Sequence, residues 1–166
     1  MPEIPAFDIQ TPEHFFKKLL DERSDLNASR NQSVRHTLNA ILTACHLTDW
    51  VWESVKGRSD LHLKWGLGKP DLCHFRDFIE DNTQCPLQAI ARAIANGTKH
   101  AKIKSVTTKV INGAFDPGGF QADAFQVPQL SIVISDGVTY GVPEFLDELI
   151  KFWKEFLTSE LDLGVS

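Results

Sequence analysis

The chain has three cysteines in 166 residues and no Cys-x-x-Cys pair, which leaves little room for a disulfide scaffold or a zinc site of familiar spacing. Cys45, Cys73 and Cys85 are odd in number. Free thiols, buried as small hydrophobes in a reducing, cytoplasmic setting, are the expectation. No apolar run approaches the length of a bilayer span, so no membrane partner is expected. The opening Met-Pro-Glu-Ile-Pro lacks a basic start and an apolar stretch, so no secretory signal is expected there. Internal repeats and low-complexity tracts are missing too. So is any broad excess of positive charge. The 17 Lys and Arg stand against 22 Asp and Glu, a formal net charge of -5 at pH 7. That argues against a uniformly basic nucleic-acid binder and leaves a local basic patch open.

What is present reads as an ordinary globular chain, 42% hydrophobic and 23% charged. One domain over 1–166 is expected at this length. Thr11 is a suitable cap, Pro12 suits the first helical position, and Phe15, Phe16, Leu19, Leu20 and Leu26 recur at helical spacing. Asn27 and Ala28 are then expected in a turn. Ser29 and Gln32 resemble a capping box for a longer helix to about Lys56, with Val34, Leu38, Ile41, Leu42, Cys45 and Trp52 as its stripe. Residues 58–70, broken by Gly66, Gly68 and Pro70, suggest a short helix and a loop. Asp71 caps a helix through Asn82. Pro86 opens another, which either ends at Gly97 or continues to His100.

The period then changes from helical to alternating. Residues 103–111 predict a strand, residues 112–119 a Gly-rich turn, and Leu130 to Tyr140 a hairpin around Asp136-Gly137. Pro143 starts a last helix with Phe145, Leu146, Leu149, Phe152, Trp153 and Phe156 inward. The expected fold is mainly α (α+β): a four- to five-helix bundle over 11–100, a small antiparallel β-meander over 103–142, and a closing helix over 143–160.

The candidate chemistry lies on two helices. On a wheel of 100° per residue, Asp49 falls among Leu38, Cys45 and Trp52, and a carboxylate so placed requires a partner. Arg35, Asn39, His46 and Glu53 border the same stripe. Arg92, Asn96, Lys99 and His100 share the side of the later helix opposite its apolar stripe, if that helix survives Gly97. Lys99 or Arg92 is then the expected cation for Asp49. A His beside a carboxylate is held in one tautomer, and a Lys beside it offsets negative charge developing on phosphate. Hence His100, His46 and Asp49 are the candidate catalytic groups, and Arg92, Asn96 and Lys99 the candidate substrate contacts. A structural carboxylate bridging two helices, beside an ordinary solvated helix end, gives the same pattern.

Lys99, His100, Lys102, Lys104 and Lys109 form one basic stretch without an acid. It reads either as a protected strand edge or as an anion contact. Asn112 to Phe120 lacks the Lys-Ser/Thr ending of a phosphate loop. Cys45, His46, Cys73, His74, Cys85 and His100 lack zinc-ligand spacing, so no metal and no cofactor are expected. Trp50, Trp52, Trp65 and Trp153 are candidate core or interface anchors.

His46-Leu-Thr-Asp-Trp50 and Ala95-Asn-Gly-Thr-Lys-His100 resemble motifs of a group of uncharacterised bacterial and mobile-element proteins. More distantly, the helical pattern resembles HEPN-type bundles, dimeric proteins of toxin–antitoxin and phage-defence systems, many of which cleave RNA. Their motif is an Arg, a polar residue and a His about one or two turns later on one helix. Here Arg92 precedes Asn96 and His100 with a longer gap than usual. That resemblance implies RNA or nucleotide as partner and a homodimer. A non-enzymatic protein-interaction module, an adaptor or antitoxin-like partner, is the other reading.

Overall fold

A computed structural model describes residues 9–81, 84–100, 106–111, 129–134 and 137–165. For residues 99, 100, 106–111 and 129 it describes the backbone. The order is α1 (Pro12–Ala28), α2 (Val34–Val55), α3 (Ser59–Lys64), α4 (Leu72–Glu80), α5 (Pro86–His100), β1 (Val106–Ile111), β2 (Gln129–Ile134), β3 (Thr139–Gly141) and α6 (Val142–Leu161). The chain is therefore mainly helical, with a small antiparallel sheet before a closing helix, as its periodicity predicts.

Three helix starts are set by side-chain caps. The Thr11 hydroxyl accepts from the His14 amide at 3.3 Å, and Asp71 accepts from the His74 amide at 3.0 Å. The third cap differs from the expected one. Ser33, not Ser29, caps α2, accepting from the His36 amide at 3.2 Å. Ser29 instead closes α1, which runs on through Asn27 and Ala28. The turn between them uses left-handed backbone at Arg30 (φ 57°) and Asn31 (φ 59°). Asn tolerates that region better than Arg does, and Arg23 steadies the turn by donating to Asn31 Oδ1 at 3.3 Å.

Contacts at Phe15–Trp50, Lys18–Thr43 and Glu22–His36 run in opposite chain directions, so α1 and α2 form an antiparallel hairpin. The buried residues of α2 are Thr37, Ala40, Ile41, Thr43, Ala44, Leu47, Thr48, Val51, Trp52 and Val55. The expected stripe lay about one residue further round the helix, because it was anchored on bulky side chains. Leu38 and Cys45 are only half-buried, and Val34 is 59% exposed. Ala40, Ala44 and Thr48 are small, and that size lets α5 approach closely.

α5 continues through a buried Gly97 to His100. A helical Gly costs about 1 kcal/mol relative to Ala. Burial of Ala91, Ile94 and Ala95 on the same helix outweighs that cost. The closing helix α6 buries Phe145, Leu146, Leu149, Trp153, Phe156 and Leu157 against the other helices and the sheet, and Phe152 is half-buried. Together with α1, α2, α5 and the sheet it encloses one contiguous core.

The sheet order is β1-β2-β3, both pairs antiparallel. Among the described residues β1 is an edge strand, so Lys109 lies where lysine discourages edge-to-edge pairing. In the hairpin the Ile134 amide donates to Val138 O, and Gly137 (φ 88°) donates to Ile134 O. Three residues thus separate the last bonded pair, where a type I′ Asp-Gly turn would leave two. Residues 1–8 and the expected Gly-rich turn over 112–119 lie outside the described residues.

Candidate functional site

α4 lies across the seam between α2 and α5, and its two charged residues one turn apart reach in opposite directions. Arg76 donates to Asp49 Oδ1 on α2 at 2.6 Å. Glu80 accepts from Arg92 on α5 at 2.6 Å. Residues i and i+4 of a helix share a face, which is why one short helix can tie both neighbours. Asp49 does have a cation beside it. Among the described residues that cation is Arg76, and Arg92 is held instead by Glu80. The sequence does not single out Arg76, because which cation meets Asp49 depends on how α4 packs against α2. Its four-residue spacing to Glu80 was the available signal.

Asp49 is also not deep in the core. Its side chain is 35% exposed, for the same reason that the α2 stripe is rotated from its expected place. The His46 ring, 41% exposed, stands with Nδ1 3.5 Å from Asp49 Oδ2, so imidazole, carboxylate and guanidinium form one row open to solvent. Glu80 is more enclosed, at 9% exposure. Its charge-assisted bond raises the guanidinium of Arg92 further above its ordinary range. The Nε–H of Arg92 is shielded from solvent and has no acceptor among the described residues.

Cys45 sits between the two ion pairs. Burial first, and the Asp49 carboxylate second, push its thiol up to about 11, while Arg76 and Arg92 pull the other way. It is a protonated wall of the seam at neutral pH, not a nucleophile. Cys85 is buried and likewise raised to about 11 by burial. Cys73 is exposed, so the expectation that all three thiols are buried fails there: it lies on the outer face of the short helix α4.

The structure thus brings His46 and Asp49 together and adds Arg76. It places Arg92 on the same seam through Glu80, and Asn96 exposed further along α5. The Lys99 and His100 side chains lie outside the described residues. Their backbone is helical, which answers the question posed by Gly97. No helix among the described residues is long and apolar enough to cross a membrane. Of the tryptophans, Trp52 and Trp153 are core residues, and Trp50 is half-buried with its ring stacked on Phe15 at 5.1 Å. Comparison of this chain with protein-family models, with curated proteins and with solved structures gives no match.

Proposed function

We propose that the chain is an RNA- or nucleotide-acting domain of HEPN-like type, with α5 and the adjoining α2–α4 seam as its phosphate-facing surface. The observation that supports this most is the unbroken course of α5 from Pro86 to His100. On a continuous helix Arg92, Asn96, Lys99 and His100 fall within an arc of about 100° and along about 12 Å of axis. A cation, an amide, a second cation and an imidazole then follow one another on one face. That order is what a phosphodiester requires: charge compensation, orientation and a base.

In this reading His100 takes the proton of a ribose 2′-hydroxyl. The 2′-oxygen attacks phosphorus, and the 5′-oxygen of the next nucleotide leaves and is protonated by water. Lys99 and Arg92 offset the negative charge that grows on the phosphoryl oxygens. His46, Asp49 and Arg76 are a supporting row, with Arg76 extending the positive surface. The more distant resemblance to HEPN-type bundles implies the same class of substrate.

The test is incubation of RNA pools with wild type, His100→Ala and Arg92→Gln. Loss of cleavage in His100→Ala, with RNA still bound, supports the assignment. Equal activity in wild type and His100→Ala, or none in either, removes it. A second reading, a non-enzymatic adaptor or antitoxin-like module, is favoured by one feature: both seam arginines already face carboxylates, so the seam is self-compensated without a ligand. Specific capture of a protein partner without RNA cleavage would select it.

A further inference from the structure

The far end of the α1–α2 hairpin carries a second polar cluster, separate from the seam. Glu22 and Asp25 are one turn apart on α1, and His36 lies in the first turn of α2. One ligand atom from each lies within 4.8 Å of the others. Glu22 and His36 are mostly enclosed, at 16% and 19% exposure, and Asp25 is exposed. Lys18 holds Glu22 Oε1 at 3.1 Å and is tied in turn to Thr43 Oγ1 at 2.7 Å, which leaves Glu22 Oε2 toward His36. His36 Nδ1 faces that oxygen at 3.7 Å, too far for a hydrogen bond. The nitrogen is shielded from solvent and has no hydrogen-bond partner among the described residues. A buried ring nitrogen left unpaired beside two carboxylates is an arrangement that a cation would complete.

We propose that Glu22, Asp25 and His36 bind a divalent metal ion of the Mn2+ or Zn2+ kind, clamping α1 to α2 across their turn. Two carboxylates and one imidazole make an oxygen-rich, borderline-hard set, which suits these ions better than a thiolate-seeking one. Bonds of about 2.0–2.2 Å hold ligand atoms roughly 3–3.5 Å apart, so the cluster has to contract slightly. Asp25 can supply that movement, because its side chain is exposed. Three protein ligands leave coordination positions for water, so the site is open. One local contact opposes loading. Arg35 donates to His36 Nε2 at 3.2 Å, and since Arg donates only, the ring proton sits on Nδ1. On metal binding that proton moves to Nε2, the Nδ1 lone pair goes to the metal, and Arg35 swings away. The imidazole stays neutral and no proton is lost overall.

The experiment is titration of the intact chain with Mn2+, read by paramagnetic broadening of backbone amide signals in NMR. Broadening centred on residues 22, 25 and 36 is expected, with at least tenfold weaker binding in both His36→Ala and Asp25→Asn. Asp25→Asn is a near-isosteric change on the surface, so it tests the site where His36→Ala disturbs folding. Arg35→Ala is expected to tighten binding, because it removes the donor that occupies Nε2. The proposal is overturned by absence of broadening, by broadening centred elsewhere (for example at Asp71 and His74), or by an unchanged response in Asp25→Asn. Unchanged affinity in Arg35→Ala overturns the assignment of Nδ1 as the ligand atom.

Discussion

Two groups of polar side chains meet α2 on its side toward α5, one sealed and one open. The sealed one centres on Gln88 of α5, which is 1% exposed. Its Nε2 donates to Ala44 O at 2.9 Å and to Thr48 Oγ1 at 2.9 Å, and its Oε1 accepts from Trp153 Nε1 at 3.3 Å. One amide thus joins α2, α5 and α6 with no charge involved. The open group is the His46–Asp49–Arg76 row with the Glu80–Arg92 pair, where four of the five side chains are about a third or more exposed. The difference is instructive. A neutral group can be sealed because hydrogen bonds alone satisfy it, whereas charges keep contact with water. Of these two, the open group is the one a ligand can reach, so stability and function are expected to separate between them.

The largest effect should come from breaking the sealed group. Gln88→Leu keeps the approximate bulk but leaves the Trp153 indole N–H without its acceptor and Thr48 without its donor. Each lost buried partner costs about 1–3 kcal/mol. A loss of about 2–3 kcal/mol, or roughly 5–10 °C in Tm, is expected for a domain of this size. Thermal unfolding followed by circular dichroism checks it. A change under 2 °C would show that the amide contributes little and that the comparison is misdrawn.

Gln88 also shows where the sequence was legible and where it was not. The helix starts at Thr11 and Asp71, the period change before β1 and the inward face of α6 could all be read. Each depends on near neighbours in the chain and on side chains whose chemistry is strongly one-sided. The buried face of α2 was misplaced because Ala40, Ala44 and Thr48 carry little hydrophobic signal, yet small size is what close helix packing selects. Gln88 is not legible in the sequence, because a buried amide is specified by partners 40 to 65 residues distant. Within the candidate site, the helix wheel places Asp49 too deep, and a carboxylate a third exposed does not require the cation it meets. The identity of that cation was not legible, because the rotation of α4 against α2 is a tertiary property. The Arg30–Asn31 turn was hidden for a related reason: the turn reads as a helix start until the left-handed backbone is known.

A smaller effect is expected from the open group. Asp49→Asn removes one charge from a pair in which both partners are about a third exposed, and such pairs contribute less than about 1 kcal/mol. A Tm shift within about 3 °C is expected, well below that of Gln88→Leu. Affinity for a polyanion should move in the opposite sense from stability. With the carboxylate gone, Arg76 is released and the seam becomes more positive, so RNA or heparin binding should strengthen and grow more salt-dependent. Salt titration by fluorescence anisotropy measures this. Weaker binding in Asp49→Asn would place the carboxylate, not Arg76, in contact with the ligand.

The finest probe of the same contrast is the cysteines, since one thiol borders each group. Cys85 precedes Gln88 and is buried, while Cys45 lines the seam and is half-buried. Both thiols are pushed up to about 11, so near pH 8 each is almost wholly protonated and slow to react. Cys73, exposed on α4, should be alkylated first. As pH rises toward 11 Cys45 gains thiolate and should follow, because the seam admits reagent. Cys85 should wait for opening of the core. Burial is the larger cause of the Cys45 shift and Asp49 the second, so Asp49→Asn should speed Cys45 alkylation by less than about tenfold, the equivalent of one pKa unit. The same substitution should leave Cys85 unchanged, because Asp49 contributes nothing to its shift. Mass spectrometry of timed iodoacetamide reactions resolves the three sites. Equal acceleration at Cys45 and Cys85 would mean that Asp49→Asn loosens the whole bundle, and the separation between sealed and open groups would then be lost.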